Sequence, residues 1–209
     1  MGSHPGRSRC LPADASSNPL SPFLFALFLL CVAPAVFHDE ASAGETRSGR
    51  KGGALFSELR LGLVDHDMQV FRDGTERGAD INIEALFATP FRKGRTALLT
   101  PRPHLGASIN TRGDTSHAYT GFTWDFGLPG SLFLNVTLGV SVHDGRLASD
   151  RTDVKEYGSR VLIRESIDVG YPSSGRHAVS LFVDHSSNAG LSSRNNGLQS
   201  IGFRFHHRF

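Results

Sequence analysis

The stretch SLFLNVTLGVSVH, residues 131 to 143, decides how this chain folds. Leu132, Leu134, Val136, Leu138, Val140 and Val142 fall on one phase of a two-residue repeat, and Asn135, Thr137, Gly139, Ser141 and His143 fall on the other. Successive side chains of a strand point to opposite faces, so this pattern specifies a strand with one apolar and one polar face.

The same alternation recurs on both sides of that stretch. Upstream it covers 55 to 64 (Leu59, Leu61, Leu63) and 81 to 88 (Ile81, Ile83, Ala85, Phe87), then 103 to 110 (Leu105, Ala107, Ile109) and 118 to 126 (Phe122, Trp124, Phe126). Downstream it covers 159 to 170 (Val161, Ile163, Ile167, Val169), 177 to 187 (Val179, Leu181, Val183) and 199 to 209 (Ile201, Phe203, Phe205, Phe209). Eight strands of about ten residues match the smallest common even-stranded barrel of bacterial outer membranes. The expected fold is therefore all-β, an eight-stranded antiparallel transmembrane β-barrel of the outer membrane.

The connections agree with that topology in the later half of the chain. Residues 127 to 130 and 172 to 175 read as tight turns, as periplasmic connections should, whereas 144 to 158 and 188 to 197 are longer, as external loops should be. The exception is 89 to 101, a longish connection on the periplasmic side. A secreted soluble sandwich or lipocalin-like barrel shares the periodicity. The last strand argues against it: Gly202, Arg204, His206 and Arg208 share one face, Phe203, Phe205 and Phe209 the other, and an aromatic residue closing such a strand resembles the assembly signal of outer-membrane barrels.

Residues 1–43 read as a cleaved export signal and 44–209 as a single barrel domain. Arg7 and Arg9 precede an uncharged apolar run from Phe23 to Phe37, and Ala41-Ser42-Ala43 supplies small residues for cleavage, with Ala35 as an earlier alternative. The run is interrupted by Pro34 and falls short of the roughly 20 residues a membrane-spanning helix needs. Both cysteines, Cys10 and Cys31, lie in that segment, and the bulky Leu29-Leu30 before Cys31 does not suit a lipoprotein signal. The mature chain then has no disulfide and no thiolate metal site. The formal net charge of +2, without a dense basic run, gives nucleic acid nothing to hold.

One run looks like chemistry. In Asp184-His185-Ser186-Ser187-Asn188-Ala189-Gly190, His185 and Ser187 are two apart and share a face, the minimum for an activated serine. They are also in phase with Val179, Leu181 and Val183, which puts them on the lipid-facing wall, where polar groups are costly and need a reason. A bland reason is available, since both sit at the outward end of the strand, where the interface tolerates polarity.

Residues 181 to 205 resemble the lipid A 3-O-deacylase family of outer-membrane enzymes, also called acyloxyacyl hydrolases. The resemblance rests on His-x-Ser-Asn-Ala-Gly at His185 to Gly190, Asn-x-Gly at Asn195 to Gly197, and the final aromatic strand. It implies a hydrolase that removes the 3-O-linked acyl chain of lipid A, with Ser187 as nucleophile and His185 as base. It further implies Asn188 and Asn195 as oxyanion or binding groups, with the N–H groups of Ala189 and Gly190 nearby. Lipid A or lipopolysaccharide is then the substrate and the outer membrane the setting, with a homodimer left open and no cofactor or metal required.

The third member departs from the family pattern, which has Glu where this chain has Gln199. A hairpin centred near Ser192 sets Gln199 across from His185 on the same face. Its amide can accept the imidazole N–H but cannot stabilise imidazolium, and the comparable Asp→Asn change in a serine protease costs ~10⁴ in rate. Glu165 shares the outward phase of the neighbouring strand, but pairing through a Pro172 turn would set it near Leu181, four residues and ~13 Å from His185. Asp184 points to the opposite face. Alternatives are a structural or adhesion barrel that keeps the motif without turnover, or another lipid hydrolase such as a phospholipase. Asp65-His66-Asp67 is a candidate cation loop, and His104, His117, His143, His177, His206 and His207 show no metal-ligand spacing.

Overall fold

The computed structural model describes residues 56–68, 75–90, 100–150 and 154–209. The export signal expected over 1–43 lies outside the described residues. Eight strands run in chain order: β1 (Phe56–Asp65), β2 (Ala79–Phe87), β3 (Arg102–Asn110), β4 (His117–Gly127), β5 (Phe133–His143), β6 (Val161–Ser174), β7 (His177–Ser187) and β8 (Leu198–Arg208). Each pairs antiparallel with the next, and β8 returns to β1 to close the barrel. Closure matters in a membrane because it leaves no strand edge with unpaired N–H and C=O groups.

The period-two pattern sorts the side chains as the sequence suggests. Leu63, Ile81, Leu105, Ile109 and Phe203 stand on the outside, each at least half exposed, as an apolar band should be before lipid covers it. The lumen carries the polar phase. Arg60 donates to Glu58 (2.7 Å), Glu84 (3.0 Å) and Asn135 (2.9 Å). Arg204 donates to Asn82 (3.0 Å) and pairs with Glu84 and Asp168 (3.3 Å each), and its guanidinium lies 3.4 Å over the Phe182 ring. Arg164 pairs with Asp184 and covers the Tyr119 ring at 3.6 Å. Fully buried charges are tolerable only when paired and hydrogen-bonded, so this network plugs the barrel rather than leaving a channel.

Strand β6 departs from expectation. The sequence suggests a turn over residues 172 to 175, but β6 continues to Ser174 and the reversal occurs at Gly175-Arg176, where Gly175 has φ +31°. Pro172 pairs with Ala178 and the ladder slips between Pro172 and Ser174. Proline has no N–H to give a ladder, and a bulge near a strand end is a place that tolerates it. Every β6–β7 pair is thereby displaced by four positions. Leu181 faces Val169, and Glu165 faces His185 instead of Leu181.

Candidate active site

The outer end of β7 and the loop that follows bring the motif together. His185 and Ser187 both lie on the outward face, yet they are only 3% and 5% exposed, unlike the apolar band around them. His185 is flanked on both sides: Glu165 of β6 pairs with it on one, Gln199 of β8 on the other. The Gln199 register is the one the sequence suggests, and the Glu165 register corrects it. Neither ring nitrogen of His185 has a hydrogen-bond partner among the described residues, so the ring is placed beside Ser187 without being bonded to it.

The glycine of the Asn-x-Gly run has a steric reason. A Cβ at Gly197 would sit 2.8 Å from Cε1 of His185, so glycine lets the ring stand where it does. The asparagines, in contrast, build the loop. Asn188 Nδ2 donates to the carbonyls of Tyr157 (2.8 Å) and Arg194 (2.6 Å), and its Oδ1 accepts from Gly190 N (2.9 Å). Asn195 Oδ1 accepts from Asn188 N at 3.0 Å. The side-chain donors of Asn188 and the N–H of Gly190 are thus already engaged. Ala189 takes the left-handed conformation (φ +53°), which non-glycine residues seldom adopt, and its N–H makes no hydrogen bond among the described residues.

Two further external loops brace this end, and sequence reading gives no sign of it. Lys155, 2% exposed, pairs with Asp67 of the β1–β2 loop and donates to the Gly197 carbonyl at 2.7 Å. Burial lowers its pKa, against the pull of Asp67. The Tyr157 hydroxyl donates to Glu76 at 2.9 Å, and burial raises its pKa well above the usual tyrosine value. The Asp65-His66-Asp67 run is consumed here: His66 bonds Asp80 and Glu76 (3.0 Å each) and Asp67 binds Lys155. No group of three metal-ligating side chains occurs among the described residues.

Below the His185 row, toward the membrane midplane, Val136, Glu165, Ile167, Val183 and His185 line a hollow in the outer wall. Val136 is only 3% exposed there although it points outward. The hollow is small and mostly apolar, and it opens beside a hydroxyl and an imidazole.

The family model of lipid A 3-O-deacylase (PagL) matches residues 83–208, more than half of the chain, with His185, Ser187, Asn188, Asn195 and Gln199 inside the match. The chain belongs to that family. As a lipid A 3-O-deacylase family member it is an outer-membrane barrel of an ester-hydrolysing group. The crystal structure of the outer membrane enzyme PagL superposes with a TM-score of 0.55 at 17% identity, covering 73% of this chain and 100% of that one, which is a likeness of fold. Neisserial surface protein A (NspA) gives a TM-score of 0.48 at 12% identity over 76% of this chain and 100% of that one. No curated protein matches the chain.

Proposed function

We propose that this protein is a serine esterase of the outer membrane that removes the 3-O-linked acyl chain of lipid A. One observation carries the reading: a hydroxyl and an imidazole, both nearly buried, share the lipid-facing wall at the external end of β7, beside a small apolar hollow. Ester carbonyls of a lipid lie at the interface and its chains in hydrocarbon. Ser187, the last residue of β7, supports the reading by standing at the strand's outer end.

His185 takes the Ser187 proton as Oγ attacks the ester carbonyl, and the tetrahedral intermediate places its negative charge on the former carbonyl oxygen. The unengaged N–H of Ala189, two residues beyond the nucleophile, and the amide of Asn195 are the donors for that oxygen. Collapse breaks the bond to the sugar oxygen, which leaves with the proton held on His185. Water, deprotonated by His185, then releases the chain as a free carboxylic acid and restores Ser187. No metal or cofactor enters these steps.

Ser187→Ala and His185→Ala should each remove most lipid A hydrolysis by the refolded barrel while heat-modifiable migration stays unchanged, because both residues lie outside the packed lumen. Hydrolysis at the parent rate by either folded variant would end the reading. A non-catalytic barrel is favoured by one observation, the neutral Gln199 beside His185, and it predicts no hydrolysis by the parent either.

A further inference from the structure

Among the outward-facing positions of the eight strands, only two carry charge: Asp65, at the extreme end of β1, and Glu165, four residues inside β6. A carboxylate on a lipid-facing wall is costly unless a partner compensates it. Glu165 makes no hydrogen bond or ion pair among the described residues. Directly across the ladder lies His185, 97% buried by its 3% exposure, with both ring nitrogens unpartnered. Opposed residues of an antiparallel pair have Cβ atoms about 4.5–5.5 Å apart, within reach of a glutamate and an imidazole. Both side chains line the same hollow.

The other charged groups near His185 are already committed. Asp184, its neighbour on β7, points to the lumen and pairs with Arg164. Lys155, from the β5–β6 loop, is held by Asp67 and the Gly197 carbonyl. From β8 comes only the neutral Gln199.

We propose that Glu165 of β6 is the carboxylate that orients His185 and stabilises its imidazolium, so that the acidic partner of this site comes from one side of β7 while Gln199 fills the position on the other. β7 is the middle of three strands, and residues opposite His185 on β6 and on β8 both stand within cross-strand reach, at Cα separations of about 4.5 Å on one side and about 5.5 Å on the other. Glu165 accepts the N–H of His185 away from Ser187, fixes the tautomer that leaves the other nitrogen free to take the serine proton, and balances the charge that follows. It is a positioning residue, acting through His185.

The inference rests on the serine-esterase reading, and the test separates the two. Ser187 reactivity is followed in the refolded full barrel with a fluorophosphonate probe, alongside kcat and KM on lipid A, in the parent, Ser187→Ala, Glu165→Gln, Gln199→Glu and the double variant Glu165→Gln/Gln199→Glu. Glu165→Gln should lower labelling and kcat by between about 10- and 10⁴-fold with KM little changed. Gln199→Glu should restore most of the rate in the Glu165→Gln background. A purely structural role for Glu165 gives no such rescue. Parent-like labelling of Glu165→Gln, or a loss that Gln199→Glu does not restore, overturns the proposal while leaving the esterase reading standing if Ser187→Ala is unlabelled. Labelling that persists in Ser187→Ala overturns both.

Discussion

Gly197→Ala tests the packing of the site with a single methyl group. A Cβ there lies 2.8 Å from Cε1 of His185, and 3.4 Å from its Nε2 and from the Ser186 carbonyl oxygen. Non-bonded carbons rest about 3.5–4.0 Å apart, so the ring must yield by roughly 1 Å. Gly197 is outside the left-handed region, so alanine suffers no backbone strain there. The obstructing atom belongs to a side chain that can turn, and β8 need not move. Alanine also restricts the unfolded chain, an effect of about 0.4–1 kcal/mol in favour of folding. Stability should therefore change little, while a displacement of about 1 Å in a catalytic base costs on the order of 10² in rate. The assay is kcat on lipid A for the refolded barrel, with Gly127→Ala as control, since a Cβ at Gly127 meets nothing within 4 Å. A folded Gly197→Ala variant working at the parent rate would refute the placement of His185 as the base.

The remaining expectations concern the loops. Asn188→Ala orphans the carbonyls of Tyr157 and Arg194 and the N–H of Gly190, so it should cost about 1–3 kcal/mol in denaturant unfolding and reduce kcat as well. His66 behaves as a pH-dependent clamp. Burial opposes its charge, but its hydrogen bonds to Asp80 and Glu76 outweigh burial and raise its pKa to about 9. A raised histidine pKa stabilises the fold fully below the ordinary value near 6.5, and the contribution is lost as pH rises through about 9. Hydrogen exchange at residues 75 to 78, corrected for intrinsic rates, should accelerate between about pH 6 and pH 9.5, and His66→Gln should abolish the difference. Glu76 has the opposite sense. Burial raises its pKa, but bonds from His66, Thr115 and Tyr157 outweigh that and lower it, so its contribution is present above the ordinary carboxylate value and lost in stronger acid.

The strands were legible because a barrel wall separates lipid from a polar lumen, and that separation writes a two-residue period into every strand. The period marks all eight strands to within a few residues, and the phase of Val179, Leu181 and Val183 alone sets His185 and Ser187 outward. Register is a different matter, because it depends on where a turn closes. Pro172 reads as a turn residue, yet it is accommodated at a bulge, and the reversal waits for Gly175. That four-position slip hid the pairing of Glu165 with His185. Asn188 was expected to face the substrate, whereas contacts with Tyr157 and Arg194, distant in sequence or set by the loop's own fold, occupy its amide. Lys155 and Asp67 are 88 residues apart and could not be connected from spacing.

Mass spectrometry of lipid A tests whether Ser187 cleaves the ester at the 3 position. Outer membranes from cells expressing the full chain are compared with those expressing folded Ser187→Ala and those lacking the protein. Lipid A should be lighter by the single acyl chain at the 3-O position only with the parent chain. Lipid A that is the same in all three, or a loss at the 3-O position that survives Ser187→Ala, would contradict it.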